Sequence, residues 1–128
     1  MLFNVLTHNR DDHAKNFSFI FNDTTGQWAL SPAYDLTFSP GPGGEHSTTV
    51  AGEGRAPSCD HFAKLAEQHD ISTKEMKGMI AEITDARKRW SEFAQAAGVS
   101  EAGINSISHY QRASSFCQES VKRRRWSS

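Results

Sequence analysis

The apolar positions of this chain change period three times. Leu2, Phe3, Val5 and Leu6 form a short run that stops at His8-Asn9-Arg10, the spacing of one or two helical turns already under way at residue 1. Phe17, Phe19 and Phe21 then recur at every second position. After the turn Asn22-Asp23-Thr24-Thr25-Gly26 comes a second run, Gln27-Trp28-Ala29-Leu30, and the pair predicts a β-hairpin. Residues 39–58 hold most of the glycines and three of the four prolines, a composition that predicts a long flexible loop, with room for a short strand at Ser47 to Val50.

Helical spacing returns after Ser58. Phe62, Leu65 and Ala66 mark one helix between His61 and His69. Ser72-Thr73-Lys74-Glu75 is a capping box, in which a serine oxygen and a glutamate carboxylate satisfy free N–H groups, so a second helix starts there. Met76, Met79, Ile80, Ile83, Trp90, Phe93, Ala94 and Ala97 place its buried stripe, and Gly98 ends it. A weaker stripe of Ile104, Ile107, Tyr110, Cys117 and Val121 predicts a last helix from about Glu101 to Lys122. Strands followed by helices define an α+β class, mostly helical.

At 128 residues the chain is the size of one domain, and 37% apolar residues with eight Phe and three Trp provide a core. A mean hydropathy of −0.61 and no apolar run near the roughly 18 residues a membrane span needs point to a soluble, cytoplasmic protein without a membrane partner. Fourteen Lys and Arg against fifteen Asp and Glu leave no global field to draw nucleic acid. Cys59 and Cys117 lack metal-knuckle spacing and are expected as reduced thiols.

Candidate chemistry concentrates in Asn9-Arg10-Asp11-Asp12-His13-Ala14-Lys15-Asn16. An Arg-Asp followed five residues on by Asn, ahead of a hairpin, is the spacing of a protein-kinase catalytic loop. Phosphoryl transfer needs a carboxylate to orient or deprotonate the attacking hydroxyl, and an amide oxygen to hold magnesium on the phosphates. Asp11 and Asn16 suit those tasks. A second metal-binding carboxylate is expected just past the hairpin, where Asp35 lies in Tyr34-Asp35-Leu36.

Together, D-x-H-x-K-N at 11–16, Phe17-Ser18-Phe19, and Ser31-Pro32-Ala33-Tyr34-Asp35-Leu36-Thr37 resemble the HipA family of bacterial toxin kinases. The resemblance continues through Ala51-Gly52-Glu53-Gly54-Arg55 and the helices after Ser58. It implies part of the larger helical lobe of a kinase-like fold, with Asp11 as catalytic base or hydroxyl-orienting group. It also implies Asn16 and Asp35 as Mg²⁺ ligands, and His13 and Lys15 beside the phosphates of ATP. A HipB-like antitoxin, operator DNA reached only through it, and an aminoacyl-tRNA synthetase as protein substrate are the implied partners.

Kinases also need a phosphate-covering loop and a lysine that pairs the α/β-phosphates, normally upstream, and only ten residues precede Asp11. Gly41-Pro42-Gly43 and Gly52-Glu53-Gly54 each begin a G-x-G, but His46 and Pro57 stand where the third glycine belongs. The chain therefore reads as a C-terminal fragment or split subunit, inactive until a missing N-terminal kinase segment is supplied. The alternative is a truncated, non-catalytic interaction module.

Blander readings compete at each position. Asp11, Asp12 and Asn16 are ordinary turn residues in many proteins, and His8, Asp11, Asp12 and His13 are the residue types of a hydrolase metal cluster. His46, His61, His69 and His109 share no spacing and read as structural or exposed. Lys122-Arg123-Arg124-Arg125-Trp126 is a basic tail of the kind that either touches phosphates or is simply solvated.

Overall fold

The computed structural model of the chain describes residues 1–113. Among these, five α-helices and one two-stranded antiparallel sheet form an α+β fold. The basic tail 122–126 and the far end of the last expected helix lie outside the described residues.

Helix α1 (Leu2–Thr7) ends where His8 turns left-handed, with φ 62°. At that turn His8 N donates to the Val5 carbonyl and Asn9 N to the Asn4 carbonyl, a left-handed helix cap. The guanidinium of Arg87 donates to the Leu6 carbonyl at 3.1 Å, tying the end of α1 to a distant helix. The chain then runs irregularly to a single 3₁₀ turn at Ala14–Asn16.

Strands β1 (Phe19–Asn22) and β2 (Gln27–Leu30) pair in the register Phe19 to Leu30 and Phe21 to Trp28. Asn22 makes the turn, because its side-chain oxygen accepts from the N–H groups of Thr24 and Thr25 while Gly26 supplies the positive φ. Every residue of both strands is exposed, so the sheet turns the rings of Phe21 and Trp28 toward each other, 5.1 Å apart, instead of into the core.

The 39–58 segment contains no strand at 47–50; Val50 forms an isolated antiparallel bridge with Glu53 and is fully buried. A tight turn serves better here, because it drops one valine into the core without requiring a partner strand. Helix α2 (Cys59–Gln68) starts at Ser58, whose box partner is the His61 imidazole in place of the usual Glu or Gln. Cys59 is the first residue of α2, and Cys117 lies outside the described residues.

The capping box at Ser72 opens helix α3 (Thr73–Lys88) as expected, with Glu75 N donating to Ser72 Oγ at 3.2 Å. The long stripe does not continue as one helix. Arg89, at φ −92° and ψ 11°, interrupts it before helix α4 (Trp90–Ala96). Met76 in α3 and Ala94 in α4 are buried, while Met79 and Phe93 face solvent. Helix α5 (Glu101–Ala113) packs on α4, where Trp90 Nε1 donates to the Ile104 carbonyl.

Val5, Val50, Phe62, Ala66 and Met76 make the core, with Leu2, Leu65 and Ile80 against it. These eight side chains come from α1, the 39–58 segment, α2 and α3. The core thus fixes the C-terminal end of α1, and with it the start of the candidate loop.

Candidate functional site

Residues 8–12 are held from both sides. Arg10 N donates to the Ser39 carbonyl and Ser39 N to the His8 carbonyl, a short parallel bridge centred on Asn9 and Ser39. Ser47 N donates to the Arg10 carbonyl at 3.0 Å, and the Arg10 guanidinium donates to the carbonyls of Gly44 and Arg55. The loop between β2 and α2 therefore forms a cradle under residues 8–12.

Asp11 and Asp12 are adjacent yet have opposite fates. The Asp11 carboxylate is about half exposed and pairs with His13 Nε2 at 2.7 Å. Asp12 is 1% exposed. Its carboxylate receives His46 Nδ1 at 3.1 Å and the Thr48 N–H at 3.1 Å, while its carbonyl takes the Thr48 hydroxyl. Of the four residues that suggested a hydrolase metal cluster, Asp11 and His13 meet each other, Asp12 turns to His46 and Thr48, and His8 packs against the rings of Phe38 and Tyr110 at 5.8 and 5.3 Å. Among the described residues no three or more His, Cys, Asp and Glu gather as a metal site.

Asn16 closes the 3₁₀ turn, and its side-chain N–H donates to the Asp11 carbonyl at 3.0 Å. That bond uses the nitrogen end of the amide and leaves the oxygen end for another partner. Tyr34 locks the same turn from the far side of the hairpin, donating to the Lys15 carbonyl at 2.8 Å and meeting Ser18 Oγ at 2.6 Å.

Asp35 follows in the left-handed region with φ 54°, an uncommon backbone for a non-glycine residue. Its carbonyl lies 3.4 Å from Asn9 Nδ2. An open pocket of about 120 Å³ is lined by both Asn16 and Asp35, together with Asn4, Asn9 and Tyr34. Two residues separated by the whole hairpin therefore share one cavity. Asp11 does not line it and is joined to it only by the bond from Asn16 to its backbone carbonyl; His13 is exposed beside Asp11, and Lys15 is exposed on the 3₁₀ turn.

Sequence reasoning gave Asn9, Arg10 and Thr48 no role of their own and weighed Asp12 only as a turn residue or metal ligand, whereas their contacts support this arrangement; His46, read as structural or exposed, is structural. The one available signal was the density of polar residues at 8–13, which exceeds what a turn requires.

His8 gives the site a measurable pH response. Burial, with lesser contributions from Arg10 and His46, pushes its imidazole down to about 4 from 6.5. His46 shifts the same way, burial outweighing the opposing influence of Asp12. An unfolded chain takes up protons near pH 6.5 that the folded one refuses, so stability is full above 6.5 and drains as pH falls toward about 4. His8→Asn, which tolerates the left-handed backbone, is expected to flatten that decline in urea unfolding measured from pH 7 to 4. Parallel profiles for the two proteins would contradict the assignment.

The chain belongs to the HipA-like C-terminal domain family, whose model matches residues 1–90. The match stops at the first residue of α4, short of the whole-chain resemblance expected from the sequence. No curated protein and no solved structure matches the chain significantly. Among the described residues no helix is long and apolar enough to cross a membrane.

Proposed function

We propose that this domain carries the hydroxyl-orienting and metal-binding part of a HipA-type Ser/Thr protein kinase, the toxin of a toxin–antitoxin pair. The observation that carries this reading is the pairing of Asn16 and Asp35 in one pocket, with the Asn16 nitrogen committed to the Asp11 backbone. An amide oxygen and a carboxylate are hard oxygen donors, the set that Mg²⁺ prefers, so the residues fit the ion. Asn16 and Asp35 would hold it, and when bound it would neutralise charge on the phosphates of ATP.

The chain's own residues do the rest. Asp11, half exposed and held to Asn16 through its backbone, orients the hydroxyl of an incoming protein serine or threonine and takes up its proton. His13, paired with Asp11, limits where that carboxylate sits, and Lys15 supplies positive charge near the phosphates. In this reading the fold is part of the larger lobe of a bilobal kinase. These 128 residues contain no Gly-rich phosphate loop, so turnover requires that element from another segment. A HipB-like antitoxin and an aminoacyl-tRNA synthetase substrate follow from the family relation.

Mn²⁺, a spectroscopically visible stand-in for Mg²⁺, tests the pocket directly. Saturable binding by the chain, weakened about tenfold or more by Asp35→Asn and by Asn16→Ala, is the expected result. Binding that is absent, or indifferent to both substitutions, would overturn the reading. The rival reading, an interaction module without catalysis, draws on the hairpin, where Phe19 is 66% and Trp28 68% exposed. Partner binding that survives loss of Asp11 and Asp35, with no metal uptake, would favour it.

A further inference from the structure

We infer that Asn9 supplies a third oxygen to the pocket lined by Asn16 and Asp35, turned toward a divalent cation or toward a water in its coordination shell. The inference rests on the metal reading above.

Asn9 is 1% exposed and rigidly placed. Its N–H donates to the Asn4 carbonyl at 2.8 Å, and its backbone is bracketed by the bridge to Ser39. The nitrogen of its side chain is taken up as well, lying 3.4 Å from Asn4 Oδ1 and 3.4 Å from the Asp35 carbonyl. The oxygen is not. Asn9 Oδ1 is buried without a hydrogen-bond partner among the described residues.

Folded chains seldom leave a buried acceptor unmatched, because it has given up water and gained nothing. Here the residue also lines the cavity that holds the two candidate metal ligands. An amide oxygen is a hard, neutral donor of the kind that completes an oxygen shell around Mg²⁺ or Mn²⁺. A donor from the cavity's contents would satisfy the orphaned oxygen, and a cation or its bound water is the partner this lining suits. The contact to the Asp35 carbonyl gives Asn9 a second effect, since it ties the backbone of one metal-binding residue to α1.

The test uses the full chain and Mn²⁺ alone, with free metal read by electron paramagnetic resonance. Asn9→Asp keeps the oxygen and adds charge to it, so affinity is expected to rise about tenfold, while Asn9→Leu is expected to lower it about tenfold. If Asn9 acts only as a donor that ties Asn4 to Asp35, Asn9→Asp loses that donor and affinity stays level or falls, which overturns the proposal. Urea unfolding of each variant shows whether it is folded. Should Asn9→Asp not fold, the wild-type chain decides. Mn²⁺-induced relaxation of side-chain amide protons is expected to put the ion as near Asn9 as Asn16, and an ion farther from Asn9 by more than a water's width would refute the inference. Loss of binding in Asp35→Asn with both Asn9 variants unchanged removes this inference alone. No binding by the wild-type chain removes the metal reading with it.

Discussion

Asp12→Ala is expected to lower the unfolding free energy by about 3 to 5 kcal/mol, the largest effect of any single substitution considered for this domain. The carboxylate is buried and receives two donors, His46 Nδ1 and the Thr48 N–H. Truncation leaves both in a place water does not reach, and each such bond to a charged acceptor is worth roughly 1.5 to 3 kcal/mol. Asp12→Asn is the informative control. Its amide oxygen still accepts from Thr48, and His46 can shift its proton to Nε2 so that Nδ1 accepts from the new NH₂ group. About 1 kcal/mol is the expected loss for that variant. Urea unfolding at pH 7 measures both, and equal losses would mean that the charge of the carboxylate, and not the shape or the neutral hydrogen bonds that asparagine keeps, holds the loop.

Gly41→Ala is expected to cost about 2 to 4 kcal/mol, from two independent sources. Gly41 has φ 72° and ψ 154°, a combination that residues bearing a Cβ avoid almost entirely. An added Cβ would also collide with the Glu45 carbonyl oxygen and stand 2.7 Å from Arg10 Cβ. Arg10 is the side chain that grips Gly44 and Arg55, so relief of the clash loosens the cradle beneath the motif. Gly43→Ala is the milder comparison: at φ 63° and ψ 9° the backbone is ordinary left-handed, and a Cβ would meet nothing within 4 Å. The difference between the two unfolding energies reports the clash together with the disfavoured ψ of Gly41, and a difference near zero would show that the cradle yields without cost.

Much of this architecture was legible from local chemistry. Alternating Phe17, Phe19 and Phe21 before an Asn-to-Gly turn identified the hairpin, and Ser72 with Glu75 identified the start of α3, because both signals act within a few residues. The break at Arg89 was hidden. Neither Pro nor Gly stands there, and the apolar stripe reads straight through it; packing against α5 decides where the helix divides.

The proposed site divides along the same line. Asp11, Asn16 and Asp35 were found by spacing, a property of the chain alone, and Asn16 and Asp35 share a pocket. Asp12, next to Asp11 in a polar run, gave no sign of being buried, since its partners His46 and Thr48 are 34 and 36 residues away. Asn9 was equally silent. What marks it is an oxygen without a partner, and only coordinates reveal that.

The loop from Gly41 to Arg55 touches the motif through bonds that span more than thirty residues. An excised peptide covering residues 8–37 would carry every side chain proposed for phosphoryl transfer, yet it would lack the walls that keep them in place. Whoever grafts this chemistry onto another scaffold must bring the glycine-rich segment along, for it is the mould in which the loop is cast.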